Sequence, residues 1–196
     1  MMDLNTEASL AITKLSYIAK KLGVADVANH LLKDDKFLTW TGSSKPFLHH
    51  YGDHGLLLHT CEVVETSESM RIFYKYKYDI DKVELFFAGL FHDAGKIYDY
   101  EKVDGVWHSS DHKRNIHHIS RSALIWNDAV RDTRQELKYK DTVLHAILSH
   151  HGQREWGSPV APLSRVAWLV FLCDSISARL YDADTRDVVH SNSPRK

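Results

Sequence analysis

The chain has 196 residues, 43% hydrophobic and 26% charged, with a formal net charge of −1. That is enough apolar material for one well-buried core, and near-neutrality excludes a global field that would hold a polyanion without local contacts. Cys61 and Cys173 stand far apart with no CxxC pair, which argues against a disulfide framework or zinc ribbon; the longest apolar run, Val166 to Cys173, is too short for a bilayer, and no signal-peptide pattern opens the chain. The expectation is a single domain over 1–189 with a polar tail at 190–196, in a soluble cytoplasmic protein.

Periodicity is helical almost throughout. Leu15, Ile18, Ala19 and Leu22 mark a first helix, Gly23 interrupts it, and Val24, Val27, Ala28 and Leu31 carry a second. A turn-rich stretch around Thr41–Pro46 leads into His49, His50 and His54. Helices are then predicted at Gly55–Arg71, Lys82–His92, His117–Arg131, Gln135–His151 and Pro162–Tyr181. Asp104-Gly105 signals a tight hairpin within Tyr98–Trp107. The predicted fold class is all-α, a helical bundle with one short β-hairpin near residues 98–107.

Fourteen histidines are a large excess for this length. In order, the conspicuous residues are His59, His92-Asp93, His117-His118, His150-His151 and Asp174. Imidazole with carboxylate suits Mn, Fe, Co, Ni or Zn, and a carboxylate can bridge two ions where an imidazole nitrogen cannot. Helical phasing tests the idea. Leu163, Ala167, Val170, Asp174, Ser177 and Tyr181 share one stripe, which puts Asp174 on a face expected to be buried. The stripe Ile119, Ala123, Trp126 and Val130 favours His118 over His117. His150 follows Val143, Ala146 and Ile147, while His151 follows Leu144, Ile147 and Leu148, and Gly152 ends that helix.

Each residue has a plainer reading. A lone inward histidine such as His59 is more often a hydrogen-bonded core residue, Asp174 could pair with Arg165 or Arg179, and His150 could cap its helix. Burying all of them together without a shared cation would cost several kcal/mol, so a one- or two-metal site is the expectation. His49, His50 and His54 are candidates for the pocket mouth. His30, His108, His112, His145 and His190 read as surface or structural residues. Lys113, Arg114, Arg121, Arg131, Arg134, Lys138 and Lys140 read as a solvated face, because acidic residues interleave with them. Trp107, Trp126, Trp156 and Trp168 read as core or pocket wall.

With these residues in place, the chain resembles the HD-domain superfamily of metal-dependent phosphohydrolases, named for the adjacent His-Asp pair. More narrowly, Gly55-Leu56-Leu57-Leu58-His59-Thr60, Leu90-Phe91-His92-Asp93-Ala94-Gly95-Lys96 and Ile147-Leu148-Ser149-His150-His151-Gly152, with Glu155 and Gly157-Ser158-Pro159-Val160, resemble the HD domain of YhaM-type 3′-5′ exoribonucleases. Two departures stand out. That family carries an oligonucleotide-binding β-barrel ahead of its HD domain, where this sequence reads as helical, and a glycine common before the third histidine is His117 here.

The resemblance implies that His59, His92, Asp93 and Asp174 hold a first divalent metal, and that His118 and His150, with His151 as a further candidate, hold a second, Asp93 bridging. It implies a shared hydroxide attacking phosphorus in line, with Asp93 and Lys96 catalytic and Lys96 neutralising the phosphate. His49, His50, Arg114, Asn115 and Arg154 are candidate substrate contacts. The implied substrate is a nucleotide or the 3′ end of short single-stranded nucleic acid, with no membrane partner and a homo-oligomer left open. Neutral charge and the helical N-terminal part shift weight toward deoxynucleoside triphosphates, monophosphates, cyclic nucleotides or short oligonucleotides. A deoxynucleoside triphosphate triphosphohydrolase or nucleotidase, a di-iron oxygenase and a non-catalytic nucleotide-binding regulator are the alternatives.

Overall fold

In the computed structural model, which describes residues 3–46, 48–132 and 139–191 and side chains as far as Asp182, helix α1 (Leu4–Leu22) begins on Asp3. The Asp3 carboxylate accepts from the Thr6 N–H at 3.1 Å, satisfying one of the helix's orphan donors. Helix α2 (Ala25–Leu32) follows, burying Val27, Ala28, Leu31 and Leu32. Helix α3 (Asp35–Thr39) is capped by Asp34, which accepts from the Phe37 N–H at 2.9 Å. At five residues it is too short for a periodic pattern to reveal.

Helix α4 (Gly55–Tyr74) packs against α1, α3 and helix α5 (Lys82–Phe91). Asp81 caps α5, accepting from the N–H groups of Val83 and Glu84 at 2.7 and 3.1 Å. Every residue of α5 from Leu85 to Phe91 is buried, so this helix lies at the centre of the bundle rather than on its rim. Short helix α6 (Lys96–Asp99) leads into an antiparallel hairpin of β1 (Tyr100–Val103) and β2 (Val106–Ser109). Its turn, Asp104-Gly105, has both φ angles positive, +49° and +81°, as a tight hairpin turn needs. The hairpin lies two residues later than predicted because Tyr98 and Asp99 complete α6.

Helix α7 (Asp111–Asn115), helix α8 (His118–Asp132), helix α9 (Lys140–Ser149), a 3-10 turn (Arg154–Trp156) and helix α10 (Arg165–Ser191) complete the architecture. Helices α8, α9 and α10 all pack against α5 or each other, and α10 also lies along α4. Phe87, Phe91 and Trp126 form the aromatic centre, with ring centroids of Phe87 and Phe91 5.1 and 5.2 Å from Trp126. The buried Trp126 indole N–H donates to the Lys140 carbonyl at 3.0 Å, so α9 is tied to α8 at its first turn.

The class is therefore all-α with one hairpin, as the periodicity indicated. Some boundaries differ for local reasons. Ser164 Oγ accepts from the Ala167 N–H at 3.1 Å, which starts α10 at Arg165 and leaves Leu163 86% exposed, off the buried stripe where it was expected. Trp168 is also exposed, not core. His190 and Ser191, expected in a tail, continue α10; the rest of that tail, the beginning of the predicted Gln135–His151 helix, Arg134 and Lys138 lie outside the described residues. Among the described residues no helix is long and apolar enough to cross a membrane.

Candidate metal centre

Five helices deliver the histidine-carboxylate set. His59 lies in the second turn of α4, His92 ends α5 with Asp93 directly after it, His118 opens α8, His150 and His151 follow α9, and Asp174 sits on α10. Two close backbone approaches set their spacing. A Cβ at Gly55 would lie 1.9 Å from the His50 carbonyl oxygen, so only glycine lets the 41–54 loop close on the start of α4. A Cβ at Gly95 would lie 2.3 Å from the His118 carbonyl oxygen, and the Gly95 N–H donates to Ser122 Oγ at 2.8 Å. The first turn of α8 is thereby pressed onto the turn that carries Asp93.

His117 has φ of +69°, in the left-handed region that favours glycine. The chain must reverse there before α8 begins, in a conformation that a glycine would adopt without strain. The His117 ring lies against that of His118, centroids 4.1 Å apart, and is half-buried, while His118 is buried.

Each of the five inward histidines is held from outside the cluster through Nδ1, while Nε2 atoms meet one another inside it, His92 with His59 and His118 with His151, each pair at 3.3 Å. His92 and His150 direct Nδ1 at the carbonyls of Gly89 and Ile147, each at 2.7 Å, and His151 at that of Trp156 at 3.0 Å. His118 Nδ1 faces Asp99 Oδ2 at 3.0 Å. Carbonyls and carboxylates only accept, so these four rings carry their proton on Nδ1. His59 reaches the same state by a relay. Ser177 Oγ donates to Glu62 Oε2 at 2.7 Å and therefore accepts from His59 Nδ1–H at 3.0 Å. Every Nε2 is left to point inward, the arrangement a cation requires of imidazole ligands.

Those nitrogens fall into two groups around Asp93. Its Oδ2 lies 3.3 Å from His59 Nε2 and 3.4 Å from His92 Nε2, while Oδ1 lies 3.4 Å from both His118 Nε2 and His150 Nε2. Asp174 Oδ1 joins the first group, 3.1 Å from His59 Nε2. His151 joins the second, its Nε2 3.3 Å from that of His118. Ligand atoms of His59, His92, Asp93 and Asp174 lie within 4.8 Å of one another, as do those of His118, His150 and His151. Asp93 Oδ1 and His150 Nε2 are buried without a hydrogen-bond partner. Such orphaned atoms are costly unless something binds them, and the donor set of imidazole and carboxylate fits a divalent transition metal in each group.

Burial and charge oppose each other here. Burial pushes His59 down, but Asp174 and Asp93 outweigh it and hold the ring up to about 9. Burial pushes His118 down to about 4, and burial with the neighbouring His150 and His118 pushes His151 down to about 3. Against burial, Lys96 and His92 hold Asp93 well below the usual carboxylate range, and His59 does the same for Asp174. Lys96, 7% exposed, is itself held above its ordinary value by Asp93, its ammonium 2.6 Å from Oδ2. Two carboxylates thus balance Lys96 and a protonated His59. A cation would displace the His59 proton and leave the centre with a positive surplus, which suits a phosphate.

A cavity of about 350 Å³ opens on this centre, lined by Asp93, Lys96, Asp174, His49, Trp156 and Arg179 among others. Of the remaining expected contacts, His50 is buried behind His59, its ring 5.0 Å from that of His59 and 4.9 Å from Tyr181, with Nε2 3.2 Å from Glu62. Arg114, which pairs with Asp111, Asn115 and Arg154 are exposed and off the cavity wall. Several functional neighbours were not singled out from sequence. Asp99 holds His118; His112, expected to be surface or structural, donates to Asp99 at 2.8 Å; Glu62 and Ser177 orient His59. Glu62 sits three residues after His59 and Ser177 three after Asp174, a helical spacing that could have flagged both. Asp99, on a four-residue helix, offered no periodic signal.

Comparison with known proteins gives a family model described as HD domain matching residues 56–179. A 3'-5' exoribonuclease YhaM from Oceanobacillus iheyensis is 30% identical over 150 residues, covering 74% of this chain and 44% of that protein. The proteins of the same name from Bacillus licheniformis and Bacillus velezensis are 24% and 23% identical, covering 87% and 88% of this chain and 53% and 54% of theirs. The chain thus spans about half the length of the curated relatives it matches. No solved structure matches it.

Proposed function

The chain belongs to the HD-domain family, and on that premise we propose that it is a metal-dependent phosphohydrolase that cleaves phosphoester bonds of nucleotides or at the 3′ end of short single-stranded nucleic acid. The observation that carries the proposal is the division of Asp93, with one oxygen toward His59 and His92 and the other toward His118 and His150. Two divalent cations so placed would supply Lewis acidity at phosphoryl oxygens and lower the pKa of water. The chain's own groups do the rest. Nδ1 contacts fix ring orientation, Asp93 and Asp174 contribute the anionic ligands, and Lys96 on the cavity wall meets phosphate charge as it builds. His49 and Arg179 on the same wall add polar contacts for the substrate.

A second reading, a nucleotidase acting on free nucleotides, is favoured by the formal charge of −1, since a long polyanion would find no global attraction. Both readings meet one experiment. Purified protein with Mn²⁺ is given nucleoside triphosphates, monophosphates, cyclic nucleotides and short oligoribonucleotides, and products are resolved by chromatography. Stepwise release of mononucleotides from the 3′ end supports the nucleic-acid arm of the first reading, and turnover of free nucleotides alone narrows the activity to the second. No turnover of any class by protein shown to hold metal rejects both, and oxygen consumption by iron-loaded protein would point to an oxygenase instead.

A further inference from the structure

The lining of the cavity that holds Lys96 also contains a tryptophan, Trp156, that the candidate ligand set does not explain. Trp156 is 58% exposed, although its backbone is firmly held. Its N–H donates to the Gln153 carbonyl at 3.1 Å, and its own carbonyl accepts from His151 Nδ1 at 3.0 Å. The adjoining segment is anchored too, because the His151 N–H donates to Ser158 Oγ at 3.1 Å. A large indole with most of its surface toward solvent forgoes the burial that normally stabilises tryptophan. Here that surface lies on the rim of a ligand-sized cavity, one hydrogen bond from a metal-ligand candidate. Ser175, Ala178, Arg179 and Asp182, which also line the cavity, follow one another at helical spacing along α10, and Arg179 adds a cation to the lining.

We propose that Trp156 is the platform on which the nucleobase of the substrate stacks, holding a single nucleotide with its phosphate at Asp93 and Lys96. The proposal rests on the phosphohydrolase reading for the identity of the substrate. Its support is geometric: a cavity of about 350 Å³ that Asp93, Lys96 and Trp156 all line is at the small end of ligand pockets, with room for one nucleotide between an indole and the phosphate-binding groups. Stacking on an indole tolerates any base, since every base has a π-face. The site would therefore select for the presence of a base rather than for its identity, and the main-chain bond from Trp156 to His151 would couple base position to the metal centre.

The test compares AMP with ribose 5-phosphate, which share phosphate and sugar and differ by the base. Affinities are measured by calorimetry on the Mn²⁺-loaded full chain as wild type, Trp156→Phe and Trp156→Leu, with metal content determined for each. AMP is expected to bind wild type about tenfold more tightly or better, the scale of one stacked base. The phenylalanine variant should keep most of that gap, and the leucine variant, which keeps bulk without a π-face, should close it to about twofold. Metal content should be equal in all three, because the bond to His151 is made by main chain. Equal binding of the two ligands by wild type, or an undiminished gap in Trp156→Leu, overturns the proposal. A wild-type protein that shows the gap yet hydrolyses no phosphoester would reject the phosphohydrolase reading while leaving the stacking site standing.

Discussion

Asp99 accepts from the main-chain N–H of His118 at 3.2 Å, from its Nδ1 at 3.0 Å and from His112 Nδ1 at 2.8 Å, and Arg121 Nε donates to His112 Nε2 at 3.0 Å. The chain Arg121, His112, Asp99, His118 fixes the tautomer of a ligand candidate with a carboxylate, as outer-shell partners of metal-binding histidines commonly do. Asp99→Asn replaces an acceptor with a group that can also donate. It is expected to weaken Mn²⁺ at the second cluster by about 10- to 100-fold while sparing the first. Metal titration followed by elemental analysis reads this directly, and equal weakening at both clusters would show that Asp99 acts on the fold at large. His117→Gly is expected to stabilise the protein by about 1 kcal/mol, since it relieves a left-handed backbone, with metal content unchanged. Loss of metal in that variant would transfer the ligand role from His118 to His117.

At the level of elements, α8, α9 and α10, which carry or precede the candidate ligands His118, His150, His151 and Asp174, were legible because each has an apolar stripe long enough to phase. Ile119, Trp126 and Val130 are buried as their spacing required, and His118 lies beside them. Elements of four or five residues were not legible: α3 is held by its Asp34 cap and tertiary contacts, and α6 and α7, which have no side-chain cap, by tertiary contacts, none of which leaves a period in the sequence. That is why Asp99 went unnoticed while Asp174 did not. Contacts between a loop and a helix, such as His50 with Glu62, were hidden for the same reason. The α6–α8 contact also sets a prediction. Gly95→Ala would place a methyl 2.3 Å from the His118 carbonyl, forcing α8 outward at a cost of about 1–3 kcal/mol. Thermal unfolding should show a lower Tm, with metal lost first from the His118 cluster; an unchanged Tm would mean that the two elements slide apart freely.

Over the whole molecule, the buried histidines tie stability to pH when metal is removed. His59, raised from 6.5 to about 9, stabilises the fold fully below pH 6.5, and that contribution fades as pH rises through 9. His118 and His151, lowered from 6.5 to about 4 and about 3, are buried neutral. Below pH 6.5 the unfolded chain takes up protons that the folded one refuses, so stability falls there as well. The chelated protein is therefore expected to be most stable near pH 6.5 and to lose on the order of a few kcal/mol toward pH 9. Urea unfolding across that range measures it. With metal bound, the alkaline loss should shrink because the His59 proton has already left; a steady rise in stability from pH 6.5 to 9 without metal would contradict the charge balance described for the centre.

The central claim is that Asp93 joins two metal clusters, His59–His92–Asp174 on one oxygen and His118–His150–His151 on the other. The metal content of wild type, His118→Ala and Asp93→Ala, each saturated with Mn²⁺ and freed of excess, tests it most directly. Two ions, one ion and none are the expected values. Retention of both ions by Asp93→Ala, or equal depletion of both sites in His118→Ala, would contradict it.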